Sequence, residues 1–327
     1  MASGGDASVL ERDIDVASLG ILVADVFGRP IDEWPQRGRL SLVREMGIGI
    51  GGCAANAGLD LVKLGLKVSV VGRVGDDGFA LVVRQVLEDA GVDVSHIVTD
   101  PDVGTSGTMV MVHGDGERSF IHYPGANGRV RPSDVPDALL ERSKVLLLAG
   151  ALVMPGFDGE PAAEVLRRAR EAGAITCLDT VWDATGTWMR LLGPMLRQAD
   201  MFLPSIAEAS ELTDEVEPPR IAAKLMEYGP RVIALKQGEH GCYVRTPDEE
   251  ISLPAYDIVP VDGTGAGDAF VAGFLRGHLA GWPLEETARF ACATGAMATL
   301  AMGTTAGVGS LEATRAFMEA TPLRAEA

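Results

Sequence analysis

The sequence lacks what a disulfide framework, a zinc site or a membrane span requires. Its four cysteines, Cys53, Cys177, Cys242 and Cys292, lie far apart with no CxxC pair, so they read as free thiols and small core residues in a reducing compartment. Its five histidines, His96, His113, His122, His240 and His278, never approach HExxH or similar ligand spacing, which argues against a structural transition-metal site. The longest apolar run, residues 145–155, falls short of the ~20 residues that cross a bilayer. The N-terminal stretch is polar and acidic, without the basic and apolar regions of a secretory signal, and the expected location is the cytoplasm. Positive charge is scarce too. The 28 Lys and Arg face 46 Asp and Glu, a net charge of −18, which argues against nucleic acid or an anionic membrane as partner.

What is present is a globular composition, 47% hydrophobic over 327 residues, long enough for a large buried core. Short apolar strands are predicted at residues 14–23, 67–74, 144–148, 174–178, 201–203 and 231–235. Helical stretches lie between them, including 53–64 and an amphipathic helix at 79–90 closed by Gly91. This alternation predicts an α/β fold, a doubly wound, mostly parallel sheet with helices on both faces. Two regions break the rhythm. Residues 108–113 and 118–123 flank the turn GDGE as a hairpin, and residues 30–44 give a weaker strand signal expected to pair with it. The expectation is one domain over 1–327 with a small β lid inserted at about 30–45 and 104–125. The lid's open β face invites a homodimer.

Two glycine-rich strings invite a ligand. Gly47, Gly49 and Gly52 satisfy GxGxxG, but they do not follow the first strand, and no acid ends the next strand as a dinucleotide fingerprint requires. They read instead as a loop that enters a helix and lets a ligand approach the backbone, with Asn56 one turn inside. Asp262-Gly263-Thr264-Gly265-Ala266-Gly267-Asp268 is more informative. Small residues ahead of the apolar helix 269–279 let successive N–H groups converge on an anion at the helix's positive end. No GK[ST] follows, so this is not a Walker A loop. Asp268 could cap the helix, but a cap alone leaves the small residues unexplained. Beside a bound phosphate, Asp268 would take the proton of an attacking hydroxyl.

These strings resemble the signatures of the ribokinase-like, or PfkB, carbohydrate kinase family. Gly51-Gly52-Cys-Ala-Ala-Asn56-Ala57 is similar to its N-terminal signature, the 262–268 string to its C-terminal one, and Lys236-Gln-Gly238-Glu-His-Gly241 to the strand and turn against the nucleotide. The resemblance implies ATP-dependent phosphorylation of a hydroxyl on a small sugar or sugar-like acceptor. It implies Asp268 as base, an anion hole from the N–H groups of Gly265, Ala266, Gly267 and Asp268, and substrate contacts from Asp25, Gly51, Gly52 and Asn56. Asp25 is equally read as a turn carboxylate, and Asn56 as a buried amide bonded to backbone. For the donor the resemblance implies Lys236, Gly238 and Gly241, with residues 293–296 walling the adenine, although that stretch also reads as a close-packed core helix. Glu208, in Pro204-Ser205-Ile-Ala-Glu208, matches the acidic residue that organises Mg²⁺ and its waters.

Two positions depart from the commonest form: Ser205 stands where Asn is usual, and Gly263 where Thr is usual. Many relatives bind a monovalent cation with the aspartate matching Asp262 and carbonyls matching residues 299–307, so potassium activation is compatible with the sequence. His122, Tyr123, Asn127 and the segment Asp179-Thr-Val-Trp182-Asp183 are candidates to face the acceptor, the last equally an ordinary surface turn. Without clustered arginines, a neutral sugar or nucleoside fits better than a phosphorylated acceptor. A nucleoside kinase and a non-catalytic sugar sensor are the alternatives.

Overall fold

Alternate residues of one central strand feed two separate cores, and this organises the molecule. The computed structural model describes residues 12–114 and 117–325. In chain order it runs β1 (Ile14–Gly20), β2 (Val23–Arg29), β3 (Glu45–Gly51), α1 (Cys53–Lys63), β4 (Val68–Gly75), α2 (Gly78–Asp89), β5 (Ile97–Asp100), β6 (Gly107–Val112) and β7 (Arg118–Tyr123). After two short 3₁₀ turns come α3 (Asp137–Arg142), β8 (Ser143–Ala151), α4 (Glu160–Glu171), β9 (Ile175–Thr180), α5 (Met189–Leu196), β10 (Met201–Phe202), α6 (Ile206–Thr213), α7 (Pro218–Met226) and β11 (Val232–Lys236). The chain ends with β12 (Cys242–Arg245), β13 (Glu250–Leu253), α8 (Ala266–Leu279), α9 (Leu284–Ala298) and α10 (Leu311–Ala320).

Nine strands form one sheet in the order β13-β12-β11-β10-β9-β8-β1-β4-β5, parallel from β11 to β5 and antiparallel at β12 and β13. On β8, Val145, Leu147 and Ala149 pack into the core under α1, α2, α8 and α9, while Leu146, Leu148 and Ala151 pack into the core under α3 to α7. A strand buried on both faces must be apolar throughout, which is why β8 reads as a continuous hydrophobic run. Strand order reverses around β1, whose neighbours are β8 and β4, and ligands of such sheets sit beyond the strand C-termini at that reversal. Among the described residues no helix is long and apolar enough to cross a membrane.

A second sheet has the order β3-β2-β6-β7, with β2 and β6 parallel and the other pairs antiparallel. The hairpin is where the sequence puts it; Asp115 and Gly116 of its GDGE turn lie outside the described residues. The other half of the lid differs. Residues 30–44 form no strand and instead connect β2 to β3, which flank them. The glycine string expected to be a loop is strand β3, paired to β2 from Val23↔Gly51 to Arg29↔Glu45. Glycine suits this strand because the partner's side chains lie over it: a Cβ on Gly51 would stand 2.2 Å from the Asp25 carboxylate.

Candidate active site

Helix α8 begins at Ala266, earlier than the residue 269 read from the sequence, so the small residues are its first turn as well as its approach. Its cap, Gly265, has φ +79°, and a Cβ there would stand 2.0 Å from the Thr304 carbonyl oxygen. Only glycine takes that conformation in that space. The first-turn N–H groups of Gly267 and Asp268 have no place in the helix ladder and are left at its positive end.

Asp268 is buried in that turn. Asn56, in the first turn of α1, donates from Nδ2 to Asp268 Oδ2 over 2.8 Å. Burial raises the Asp268 pKa above 3.8, opposed by the Asn56 bond, the Lys236 ammonium and the Cys53 thiol. The Cys53 thiol is itself pushed well up, first by burial and then by the carboxylates of Asp268 and Asp179, so it stays protonated beside the aspartate. Two helix N-termini, α1 and α8, thus meet at one carboxylate whose affinity for a proton is enhanced.

Two cavities adjoin this point. The nest loop divides them. One, of 340 Å³, is lined by Gly263, Ala266 and Gly267 together with Lys236, Gly238, Gly241, Tyr256, Ile258, Phe270, Gly295 and Ala296. The other, of 530 Å³, takes Asp262, Thr264, Gly265 and Asp268 from the same loop, with Asp25, Gly51, Gly52 and Asn56. The structure therefore brings the predicted substrate and donor residues to opposite sides of the nest, with Asp268 facing the larger cavity.

The lid sheet roofs that larger cavity in ordered rows. Cross-strand register aligns Gly49, Asp25, Thr108 and His122, then Gly47, Phe27, Val110 and Phe120. The first row is polar: Thr108 Oγ1 lies 3.1 Å from His122 Nδ1, and burial raises the Asp25 pKa against the opposing Thr108 hydroxyl and His122. The second row is apolar and aromatic. Arg118 continues β7 beyond it and reaches the nest loop, with Nη2 2.5 Å from Asp262 Oδ2 and Nη1 2.5 Å from Thr264 Oγ1. Burial pushes Asp262 up, but Arg118 and the N–H groups of Thr264 and Gly303 outweigh it and hold its pKa below 3.8.

On the donor side, Lys236 at the end of β11 pairs with Asp179 at the end of β9, Nζ to Oδ1 2.5 Å. Burial works against the ammonium, yet Asp179, Glu208 and Asp268 together raise its pKa, so it is charged. A Cβ on Gly267 would stand 3.5 Å from its Nζ, which puts the charge against the nest. Glu208 Oε2 accepts from the Ser205 N–H and the Thr180 hydroxyl, both at 3.0 Å, and the Ser205 hydroxyl oxygen in turn accepts from the Glu208 N–H. That is a capping box for α6, a structural duty the sequence reading did not assign. No described residue donates to Oε1, which leaves a hard oxygen available to a water of a bound Mg²⁺.

Residues 13–310 match the pattern of pfkB family carbohydrate kinases. The chain belongs to that family. It is 30% identical over 285 residues to an ATP-dependent ribose-1-phosphate kinase of Halopiger xanaduensis, covering 87% of this chain and 91% of that one. It is 32% identical over 265 residues to the aminoimidazole riboside kinase of Salmonella typhimurium, covering 77% and 82%. Its fold superposes on a putative ribokinase II from E. coli, solved with ATP and Mg²⁺, with a TM-score of 0.81 at 21% identity over 94% and 99% of the two chains. A carbohydrate kinase of this family is an ATP-dependent phosphotransferase acting on a hydroxyl group.

Not every candidate residue of this pfkB kinase reaches a cavity. Asn127 is buried and holds Leu22 by two 3.0 Å bonds, its Oδ1 accepting the N–H and its Nδ2 donating to the carbonyl. Tyr123 is exposed outside the cavities, and Trp182 packs edge-on against Trp188 in the loop after β9. Asp183 of that loop caps it through Thr185, Thr187 and Trp188. Glu208 lines neither cavity. Of residues 293–296, Gly295 and Ala296 line the donor cavity, whereas Ala293 and Thr294 are core. The sequence reading missed Phe27, Thr108, Phe120 and Arg118. Their signal was the alternation of the hairpin, which marks one face but does not say what the face covers.

Proposed function

We propose that this chain transfers the γ-phosphoryl group of ATP to a hydroxyl of a sugar-like acceptor held under the lid, with Asp268 as general base. One observation carries the reading: the nest loop separates two cavities, and the buried carboxylate sits on the acceptor side. The acceptor hydroxyl would give its proton to Asp268 Oδ1 or Oδ2 as its oxygen attacks phosphorus. Charge developing on the phosphoryl oxygens would meet the N–H groups of α8's first turn and the Lys236 ammonium. Asn56 holds the base in place, and Asp25 and the backbone of Gly51 and Gly52 orient the sugar hydroxyls. Mg²⁺ would neutralise donor phosphate charge, held by that phosphate and by water on Glu208.

The roof supports a choice among acceptors. A sugar's hydroxyls fit the Asp25–Thr108–His122 row, and the Phe27–Val110–Phe120 row beyond it favours an acceptor that also carries a flat apolar group, such as a riboside. ADP release across free pentoses, hexoses, sugar acids and ribosides tests this, with turnover of ribosides over free sugars expected. Binding of a sugar without ADP release would replace the kinase reading by a sensor.

The lid's outer face supports a homodimer. Register aligns Ile48, Val26, Met109 and Ile121 there, and Ile48, Met109 and Ile121 are 45%, 56% and 43% exposed. An apolar row of this kind on a lone sheet favours a second copy. Free, mostly buried cysteines and the need for ATP suit the cytoplasm.

A further inference from the structure

Several of the oxygens that the family resemblance assigns to a monovalent cation already accept from the protein's own donors. Asp262 Oδ1 accepts from the Thr264 N–H at 2.9 Å, and Oδ2 from the Gly303 N–H at 2.7 Å and from Arg118 at 2.5 Å. In the following loop the Thr299 carbonyl accepts from the N–H groups of Val261 and Asp262, at 2.7 and 3.0 Å. The Thr305 carbonyl accepts from Lys63 Nζ and from the Val308 N–H. A potassium ion needs several such oxygens to replace its water shell. Here it would have to displace N–H donors and sit beside a guanidinium that is always charged. With Arg118 in place, Asp262 and the carbonyls of Thr299 and Thr305 therefore do not fit a cation.

Two protein cations stand there instead. Arg118 comes from lid strand β7 and is only 13% exposed; its planar fork spans Asp262 and Thr264, the two ends of the turn that leads into the nest. Lys63 comes from the end of α1 and fixes the loop that packs against Gly265. We propose that Arg118, supported by Lys63, takes the place of the activating monovalent cation in this chain, so that the nest is ordered without potassium and by the lid itself. Arg118 is then a positioning residue: it acts through Asp262 and Thr264 on the N–H groups of residues 265–268. Because it arrives on the lid, this contact ties the lid sheet directly to the loop that leads into the nest.

The inference rests on the kinase reading for its rate test but not for its binding test. In the first, acceptor-dependent ADP release is measured with potassium and with tetramethylammonium at equal ionic strength, for the native chain, Arg118→Lys and Arg118→Met. The native rate should change less than about two-fold between the salts. Arg118→Met should lose about 100-fold in kcat, the scale of removing one preorganised electrostatic contact, with little change in KM for ATP. Potassium should restore part of that loss, and Arg118→Lys should fall between the two. A native rate that rises ten-fold or more with potassium, or an unchanged kcat in Arg118→Met, overturns the proposal. In the second, thermal melting of the same proteins is compared in the two salts, which needs no turnover. Potassium should not raise the native melting temperature above that in tetramethylammonium, but should raise that of Arg118→Met. A potassium-specific rise in the native chain contradicts the proposal even if no acceptor is ever found, and a folded Arg118→Met excludes misfolding as the cause of lost rate.

Discussion

Asn56 Nδ2 lies 2.8 Å from Asp268 Oδ2, so the first turns of two helices whose residues are 212 positions apart share one hydrogen bond. The bond lowers the aspartate's pKa against the upward push of burial. Asn56→Ala removes the opposing effect. The Asp268 pKa should rise further, and since the base must be deprotonated, the acidic limb of kcat should move to higher pH. A pH–rate profile checks the direction: a limb that moves down or stays fixed separates Asn56 from the base.

Phe120 stands in the apolar row and lines the acceptor-side cavity. Phe120→Ala should raise KM for a riboside about 5- to 10-fold, the scale of one lost aromatic contact, and leave KM for the free sugar nearly unchanged. Steady-state kinetics on a matched pair, a ribonucleoside and ribose, measures both.

Met109 is 56% exposed at the centre of the outer lid row. Met109→Lys adds a charge to that apolar face without reaching the cavity. The proposed pairing predicts that light scattering gives the native chain the mass of two copies and the variant the mass of one, with the same helical content in both.

Asp60, one turn beyond Asn56, is fully buried, with neither oxygen hydrogen-bonded and Lys63 Nζ 3.7 Å away. Burial raises its folded-state pKa well above 3.8, only partly countered by Lys63. Between those two values the folded state binds more protons than the unfolded state, so this group's contribution to stability falls as pH rises through the window. Asp60→Asn removes that titration. Chemical denaturation across pH should show a shallower loss of stability toward alkaline pH in the variant than in the native chain.

Much of this is legible in the sequence. The doubly wound sheet was legible because strands buried on both faces, such as β8, are unbroken apolar runs, and Asp268 because a carboxylate after consecutive small residues at a helix start is chemically odd. β3 was hidden: a strand of Glu-Met-Gly-Ile-Gly-Ile-Gly looks like a loop until Asp25 and Phe27 of β2 are seen lying over its glycines. β12 and β13 were missed because Cys-Tyr-Val-Arg and Glu-Ile-Ser-Leu are not the unbroken apolar runs that marked the central strands. Arg118 was out of reach for another reason. Its partner Thr264 is 146 positions away, and no local pattern tells a surface arginine on a hairpin from one that closes on a distant loop.

The most direct test of the account is acceptor-dependent ADP release by Asp268→Asn beside the native chain, with ATP and acceptor affinities measured by calorimetry on both. The substitution keeps the shape and removes the proton acceptor. The account predicts a fall in kcat of about 10²- to 10⁴-fold, the range of general-base catalysis, with both ligands still bound at near-native affinity. Undiminished turnover in Asp268→Asn would contradict it.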